Sequence, residues 1–482
     1  MRDHLLIAIN GRLHQVRGAE AFLSLSDYLR RSCHLTGTKV VCAEGDCGAC
    51  SVLVGRWNDG RLVYAAVDSC IQFLYQLDGT HIVTAEGLKH GDTLHPVQQA
   101  MVDNFGSQCG YCTPGFVTTI AGIYEATGGA GCVRPCESEL REKLSGNLCR
   151  CTGYVQILEA AASVDPETCP RVGDIYPDVS LRHDLEGASE EPVRILDSGR
   201  TIFLPTTIAE ACHFKTEAPK PYVVSGATDI GVQQNKGRIY PEAILCLAKL
   251  KELEGVSVAD GVMEAGARAT WTEVEALVRK MVPPFSDVLR RFGSPQIRNV
   301  GTIGGNVINA SPIADSLPFL YVTESEFVLT GLKGERRVPV HQFYKGYKKL
   351  DLAPDELLTR VRTPLPAAGE KLRLYKISRR RDLDISTFTA AVLMATEGEL
   401  ITRVRLAFGG VGPTVLRLRR TEEFLTGQPL SEDVMLAAGE IARTEITPIS
   451  DVRGSADYRF KLAENILMKF YHEIAATEAL PT

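Results

Sequence analysis

The sequence predicts a multidomain α+β chain, and three observations lead there. Its length of 482 residues suggests about three domains. A mostly-strand block, a mostly-helix block, an alternating block and a strands-then-helices block follow one another, rather than one repeating βαβ series. Cysteine is unevenly placed: 12 of the 14 lie in the first 169 residues. The rest of the composition is that of an ordinary soluble globular protein, 44% hydrophobic with a net charge of −6. Mild acidity argues against nucleic acid or an anionic membrane as the main partner. No apolar run approaches the ~18 residues needed to span a bilayer. The start, MRDHLLIAINGRLHQV, lacks a long apolar stretch of the signal-peptide kind, so a cytoplasmic chain is expected. A cysteine-dense region in that setting reads as metal binding before disulfides.

Residues 1 to 78 read as mostly β. Asn10-Gly11 between two apolar runs is a hairpin signal, and Asn58-Asp59-Gly60 marks a second hairpin. Between them LSLSDYLRR is a short helix that Ser24 or Ser26 could cap. Residues 79 to 165 read as helical. HPVQQAMVDNF has Pro96 in a first-turn position, with Val97, Met101 and Phe105 near helical spacing. FVTTIAGIYEAT and ESELREKLSG follow as helices, and Gly146 suits a C-terminal cap. Residues 166 to 195 are rich in Pro, Asp, Glu and Gly and read as a linker without periodicity. Residues 196 to 365 alternate strand and helix around two glycine-containing loops. Residues 366 to 482 offer three strands (KLRLYKIS, STFTAAVLMAT, ITRVRLAFGG) and then helices.

The first cysteine group is VCAEGDCGAC. Cys42, Cys47 and Cys50 are spaced C-x4-C-x2-C, and Cys70 follows at a distance. That is the plant-type [2Fe–2S] spacing. Gly45 and Gly48 would let backbone N–H groups reach bridging sulfides and would accept positive φ. Zinc or scattered core thiols are the plainer reading, and the β-rich, ferredoxin-sized context favours the cluster. The second group pairs Cys109 and Cys112 (C-x2-C) with Cys149 and Cys151 (C-x-C). Four thiolates hold zinc or an iron–sulfur cluster equally well, so spacing leaves both open. Each pair precedes a helix, whose N-terminus favours negative charge.

GTKVVCAEGDCGAC, LHPVQQAM, GSQCGYCTPGF and GNLCRCTGY together resemble the iron–sulfur region of the molybdenum hydroxylases, over about the first 165 residues. The resemblance implies a [2Fe–2S] cluster at the second group as well. It also implies a β-grasp ferredoxin-like domain followed by a helical [2Fe–2S] domain. Cys132 and Cys136 (C-x3-C) depart from the family pattern and read as loop thiols.

Two glycine loops remain. PYVVSGATDIGV reads as a buried strand entering a tight loop whose amides could cradle a pyrophosphate without a lysine. In RNVGTIGGNVINASPIAD, Thr302, Gly304, Gly305 and Asn306 could approach a ligand and Asp315 could hold a hydroxyl. Neither is a dinucleotide fingerprint, and ordinary turns would explain either. Both resemble the FAD-binding domain of the same family, a fold shared with vanillyl-alcohol oxidase, followed by an α/β C-terminal flavoprotein domain. That resemblance implies that Val223, Val224, Ser225, Gly226, Ala227, Thr228, Asp229 and Ile230 wrap the pyrophosphate. It places Thr302, Ile303, Gly304, Gly305, Asn306 and Asp315 on the rest of FAD, Phe292 and Leu358 by the flavin ring, and Lys376 as a further contact. Asp384, Ile385 and Ser386 would lie where a nicotinamide approaches; Arg379, Arg380 and Arg381 read as surface.

Two clusters and a flavin make a wire with no two-electron source of its own. The fused order is that of the xanthine dehydrogenase type. It implies a partner chain carrying molybdopterin, which hydroxylates hypoxanthine and xanthine. Electrons would then pass through both clusters to FAD and NAD⁺, in an assembly of two small and two large chains. Gln108 and Cys151 would face that partner. Other readings are the same subunit serving an aldehyde or N-heterocycle hydroxylase, or a zinc-cysteine binding module.

Overall fold

The computed structural model describes every residue except 59–60, 90, 128–132, 178, 219 and 479–482. Two compact units divide the chain: Met1–Lys251 with Gly293–Gly301, and Glu252–Phe292 with Thr302–Thr482.

The first unit opens with strands β1 (Leu5–Ile9), β2 (Arg12–Val16), β3 (Ser51–Asn58), β4 (Arg61–Asp68) and β5 (Thr80–Val83). They form one sheet in the order β2-β1-β5-β3-β4. Its central pair, β1 with β5, is parallel and the flanking pairs are antiparallel. Asn10 (φ 46°) and Gly11 (φ 78°) make the first turn, both left-handed as a tight hairpin demands. The second expected turn, Asp59-Gly60, lies outside the described residues. Helix Leu25–Arg31 starts where Ser24 accepts the Asp27 amide (3.1 Å). Strand β3 is buried on both faces, which is why it reads as an unbroken apolar run. Val52 and Val54 join the core beneath the Leu25–Arg31 helix. Leu53 faces the other way, into a core shared with Val97, Met101, Phe116 and Ile120.

That second core belongs to four helices: Pro96–Asp103, Thr113–Thr127, Glu137–Lys143 and Val155–Ser163. Pro96 sits in the first turn, as expected, behind a His95 cap. Two expectations fail. Phe105 is not on the helix; it follows it at φ 55° and is 80% exposed. Gly146 is no left-handed cap, since the preceding helix ends at Lys143 and Gly146 has no positive φ. Its missing side chain is needed elsewhere: a Cβ there would lie 2.0 Å from Gln296 Oε1.

The stretch expected to be an aperiodic linker contains helix Val179–Glu190. Leu181, Leu185 and Ala188 share its buried face at i, i+4 and i+7. A short helical pattern is easily lost among charged residues. Arg2 pairs with buried Asp78 (2.7 Å), and the buried Lys249 ammonium joins the same carboxylate and the Ala188 carbonyl. Next come β6 (Val193–Asp197), β7 (Arg200–Leu204), β8 (Tyr222–Val224) and β9 (Ala243–Cys246), ordered β6-β7-β9-β8. The strand read as buried, β8, is an edge strand with only Val224 inside. A short helix, Pro295–Arg298, also belongs to this unit.

The second unit holds β10 (Val256–Ala259), β11 (Val262–Gly266), β12 (Glu326–Gly331), β13 (Gly334–Pro339), the small pair β14 (Tyr344–Gly346) and β15 (Lys349–Leu350), and β16 (Leu357–Pro364). An antiparallel sheet, β10-β11-β16-β12-β13, packs around Trp271, Phe285, Phe319 and Phe327. The sheet β17 (Lys371–Ile377), β18 (Phe388–Glu397), β19 (Leu400–Gly409) and β20 (Leu416–Arg417) follows in sequence order. Helices Glu432–Thr444 and Ala456–Glu478 cross so closely that a Cβ on Gly439 would lie 2.0 Å from the Glu464 carbonyl. No described helix is long and apolar enough to cross a membrane.

Candidate functional site

The loop from Cys42 to Cys50 runs between helix Leu25–Arg31 and β3, and Cys70 follows β4. Ala43, Gly45 and Gly48 are all left-handed (φ 56°, 72° and 66°), so the loop curls and turns amides inward. The Asp46 N–H reaches Cys42 Sγ at 3.5 Å, the kind of N–H···S contact such a centre needs. Cys42 adjoins Cys47 and Cys70, and Cys70 also adjoins Cys50. Its Cys47 and Cys70 neighbours, with backbone amides, hold Cys42 below the usual thiol range. The hydrogen bond with Cys42 and then burial push Cys47 up, and hydrogen bonds with Cys42 and Cys50 push Cys70 up. Four cysteines brought to one place offer the donor set of a metal centre. The donor set therefore fits an iron–sulfur centre, with the glycines leaving room for bridging sulfides. Burial lifts the Asp68 carboxyl to about 7, and the Cys42 charge adds to the effect. Its Oδ1 accepts from Ser51 Oγ (3.3 Å) and Cys50 Sγ (3.8 Å).

At the second group Cys112 opens helix Thr113–Thr127, and Cys151 precedes helix Val155–Ser163. The sulfurs fall into pairs. Cys109 and Cys151 are 3.6 Å apart, and Cys112 adjoins Cys149. Burial and then the Cys149 neighbour raise Cys112 to about 12. Burial opposes ionisation of Cys149, yet the Thr152 hydroxyl (3.2 Å) and amide (3.5 Å) hold it below the usual range. Four thiols so placed are a donor set that a [2Fe–2S] cluster could use. Among the described residues no group of three or more His, Cys, Asp or Glu forms a single-ion site. Cys109 and Cys151 are exposed in this chain. All described cysteines are free; Cys136 is exposed beside Ser138, and Cys132 lies outside the described residues.

The two loops touch. Leu148 N–H donates to the Cys47 carbonyl (3.0 Å) and Asn147 Nδ2 to the Gly48 carbonyl (3.1 Å). A Cβ on Gly48 would lie 2.4 Å from the Gly146 carbonyl, and one on Gly115 2.2 Å from the Gly48 carbonyl. Only glycine permits this approach.

On its other side the first loop meets the glycine loop after β8. Asn235 Nδ2 donates to the Ala43 and Cys70 carbonyls (2.9 and 2.8 Å). Ile71, Val232 and Ile297 pack apolar surface around Cys50 and Cys70. Buried Gln76 and Gln72 donate to the Ser225 and Gly226 carbonyls (2.9 and 3.0 Å). Across a planar trans peptide the N–H points opposite to the C=O. The Gly226 and Ala227 amides therefore turn together to the side away from the glutamines. Ala227 is left-handed (φ 60°), so the loop has the concave form that suits an anion. Ser225 Oγ is buried without a partner among the described residues. Gly226 is obligatory, because a Cβ there would lie 2.0 Å from the Val300 carbonyl. Thr228 is half-buried, and Asp229 bonds Gln233 ahead of helix Ile230–Asn235.

In the second unit Thr302 caps helix Ile303–Asn309 by accepting the Gly305 amide (3.1 Å). A Cβ on Gly304 would lie 2.5 Å from the Ala267 carbonyl, so its role is packing. Asn306 accepts from Ser316 (2.6 Å). Lys376 is buried with its ammonium on Asp315 (2.8 Å), Ser386 Oγ (2.9 Å) and the Asp384 carbonyl (2.8 Å); Ser386 also donates to Asp315 (2.6 Å). The structure thus brings Asp315, Lys376, Asp384 and Ser386 together, with Ile385 exposed beside them. Phe292 packs edge-on to Trp271 at 5.1 Å, and Leu358 lies in the same core. Arg379, Arg380 and Arg381 are on the surface. The sequence reading passed over Asp68, Gln72, Gln76, Asn147, Asn235 and Gln296. Gln72 and Gln76 carried a signal, since polar side chains inside the apolar run IQFLYQL must find buried partners.

Comparison with known proteins matches three stretches of the chain. Residues 84–162 match the [2Fe-2S] binding domain family. Residues 197–366 match the FAD binding domain in molybdopterin dehydrogenase, and residues 373–474 the CO dehydrogenase flavoprotein C-terminal domain. The chain belongs to the molybdenum hydroxylase family, as an iron–sulfur and FAD-binding part of it. Among its relatives are xanthine dehydrogenases. "Xanthine dehydrogenase 1" of Arabidopsis thaliana is 30% identical over 97% of this chain and 39% of its own length. The xanthine dehydrogenase of Emericella nidulans is 29% identical over 98% and 39%. The chain thus spans about two fifths of those relatives. A carbon monoxide dehydrogenase chain from Hydrogenophaga pseudoflava superposes with a TM-score of 0.53 at 26% identity, over 56% of this chain and 94% of that one. Quinoline 2-oxidoreductase from Pseudomonas putida 86 gives 0.53 at 27%, over 57% and 96%.

Proposed function

We propose that this chain is the electron-transfer subunit of a xanthine dehydrogenase. A partner chain with molybdopterin would oxidise hypoxanthine and xanthine to urate, and the electrons would leave through this chain to NAD⁺. Cys109, Cys112, Cys149 and Cys151 would hold the entry cluster, and Cys42, Cys47, Cys50 and Cys70 the inner one. The amide concavity at Val223–Ile230 would hold the FAD pyrophosphate. Thr302–Asn306, Asp315, Lys376, Phe292 and Leu358 would contact the rest of FAD, with Asp384–Ser386 by the nicotinamide. When bound, the clusters supply one-electron steps and the flavin converts them to hydride chemistry. This chain's own residues hold the parts in contact. Leu148 and Asn147 tie the entry loop to the inner loop, and Asn235, Gln72 and Gln76 tie the inner loop to the phosphate concavity. Ile71, Val232 and Ile297 keep water from the inner thiols.

The single observation that carries this reading is the unbroken bonded sequence from Cys149 through the Cys42–Cys50 loop to Gly226. The test is the chain isolated with its native partner. A red-brown protein with about four irons and one flavin per chain, reducing NAD⁺ with xanthine, is the expected result. A colourless protein with zinc and no flavin would refute it. Likeness to carbon monoxide dehydrogenase and quinoline 2-oxidoreductase supports a second reading, the same subunit serving another hydroxylase. Activity on an aldehyde or N-heterocycle without activity on xanthine would favour it.

A further inference from the structure

One side chain joins both cysteine loops from a distant part of the sequence. Gln296, on the short Pro295–Arg298 helix, is fully buried. Its Nε2 lies 2.9 Å from Asn147 Oδ1, 3.3 Å from Ser51 Oγ and 3.3 Å from Thr119 Oγ1. Two of these partners lie within two residues of a proposed ligand, and the third lies in a helix that one opens. Asn147 precedes Cys149 and holds the Gly48 carbonyl, Ser51 follows Cys50, and Thr119 lies in the helix that Cys112 opens. Among the described residues Gln296 Oε1 has no hydrogen-bond partner, and it abuts Gly146, where a Cβ would lie 2.0 Å away. The neighbouring Ser294 closes on the same glycine, and Ile297 packs against Cys50 and Cys70. Burying an amide with one orphaned oxygen costs stability that an apolar side chain of the same length would avoid. The arrangement suits geometry rather than stability: one rigid side chain spans both loops.

We infer that Gln296 is a positioning residue that sets the spacing between the two iron–sulfur centres, so that a segment from the flavin-binding region controls the transfer step between clusters. This rests on the electron-transfer reading above. Electron tunnelling falls steeply with distance, so a small drift of one loop is felt directly in rate.

The test is Gln296→Met, which keeps length and volume and removes the hydrogen bonds, with Gln296→Asn as a shorter polar variant. Both clusters are reduced with dithionite and the magnetic coupling between them is read by electron paramagnetic resonance. Flavin reduction after mixing with the partner's substrate is followed by stopped flow. The inference expects both cluster signals at full intensity, a weakened coupling in both variants and flavin reduction slower by up to about 100-fold, the scale an ångström-sized misplacement can reach. Coupling and rate unchanged in a folded variant overturn it. Loss of either cluster signal in both variants also overturns it, because Gln296 would then build a site rather than space two. Absence of two cluster signals in the unsubstituted protein is a different outcome, which strikes the electron-transfer reading itself.

Discussion

The two cysteine sites each gather four thiols, in opposite surroundings. Around Cys42, Cys47, Cys50 and Cys70 the chain closes in from three sides: Ile71, Val232 and Ile297 pack on the sulfurs, and Asn235 binds the loop carbonyls. Around Cys109, Cys112, Cys149 and Cys151 it leaves two thiols exposed, with Phe105, Tyr111 and Leu148 uncovered nearby. A buried site exchanges electrons only with what the same chain packs against it. An exposed site rimmed by apolar side chains is built to be covered by something else. On the proposed reading the outer site would be the port and the inner one the relay.

The sharpest way to break that assignment is to remove one ligand at each site. Cys149→Ser should abolish one cluster signal and stop xanthine-driven NAD⁺ reduction, while NADH-to-dye activity through the flavin survives. Equal loss of both activities in folded protein would contradict the order. Cys50→Ser, in the enclosed site, should also disturb the packing of Ile71 and so lower the unfolding midpoint further than Cys149→Ser does.

In the inner domain His81 makes an acid-sensitive contribution to stability, against which the raised Asp68 carboxyl works in the opposite sense. His81 is buried against Tyr176, takes the Gly11 N–H on Nε2 (3.1 Å) and keeps its proton on Nδ1 toward the Tyr64 hydroxyl (2.6 Å). Burial, aided by the Arg182 charge, lowers its pKa to about 4. Below pH 6.5 the unfolded chain binds a proton that the folded one refuses. Stability is therefore full above that pH and falls as pH drops toward 4. The loss is at most roughly 3 kcal/mol. Denaturant titrations at the two pH values check this, and His81→Gln should flatten the dependence.

A smaller effect tests the junction between the sites. Gly115→Ala would push a methyl toward the Gly48 carbonyl and cost about 2 kcal/mol by overpacking, visible as a lower midpoint. Smallest in stability is Phe105→Ser on the exposed rim, expected within about 0.5 kcal/mol. The same change should weaken association with the large chain in a pull-down. If association is untouched, the rim is not the docking face.

The cysteine groups were legible because their spacings, C-x4-C-x2-C, C-x2-C and C-x-C, are local patterns, though the fold sets Cys109 against Cys151 and Cys112 against Cys149. The Asn10-Gly11 turn, the Ser24 cap and Pro96 were legible for the same reason. Helix Val179–Glu190 was legible in principle, through Leu181, Leu185 and Ala188, but its charged and glycine residues masked the period. Phe105 fell off the helical pattern because the chain turns left-handed right after Asn104. Gly146 invited a local explanation, and the real one is a glutamine from far along the chain.

By itself the sequence determined where the cysteine groups and the glycine loops fall and which family the pattern resembles. These depend on neighbours a few residues apart. Only the tertiary structure decided which site is enclosed, which is open and what joins them. Gln296 meets Asn147 across 149 residues of chain, and no short-range pattern encodes such a contact. Its partners are chosen by which surfaces the folded domains bury against each other.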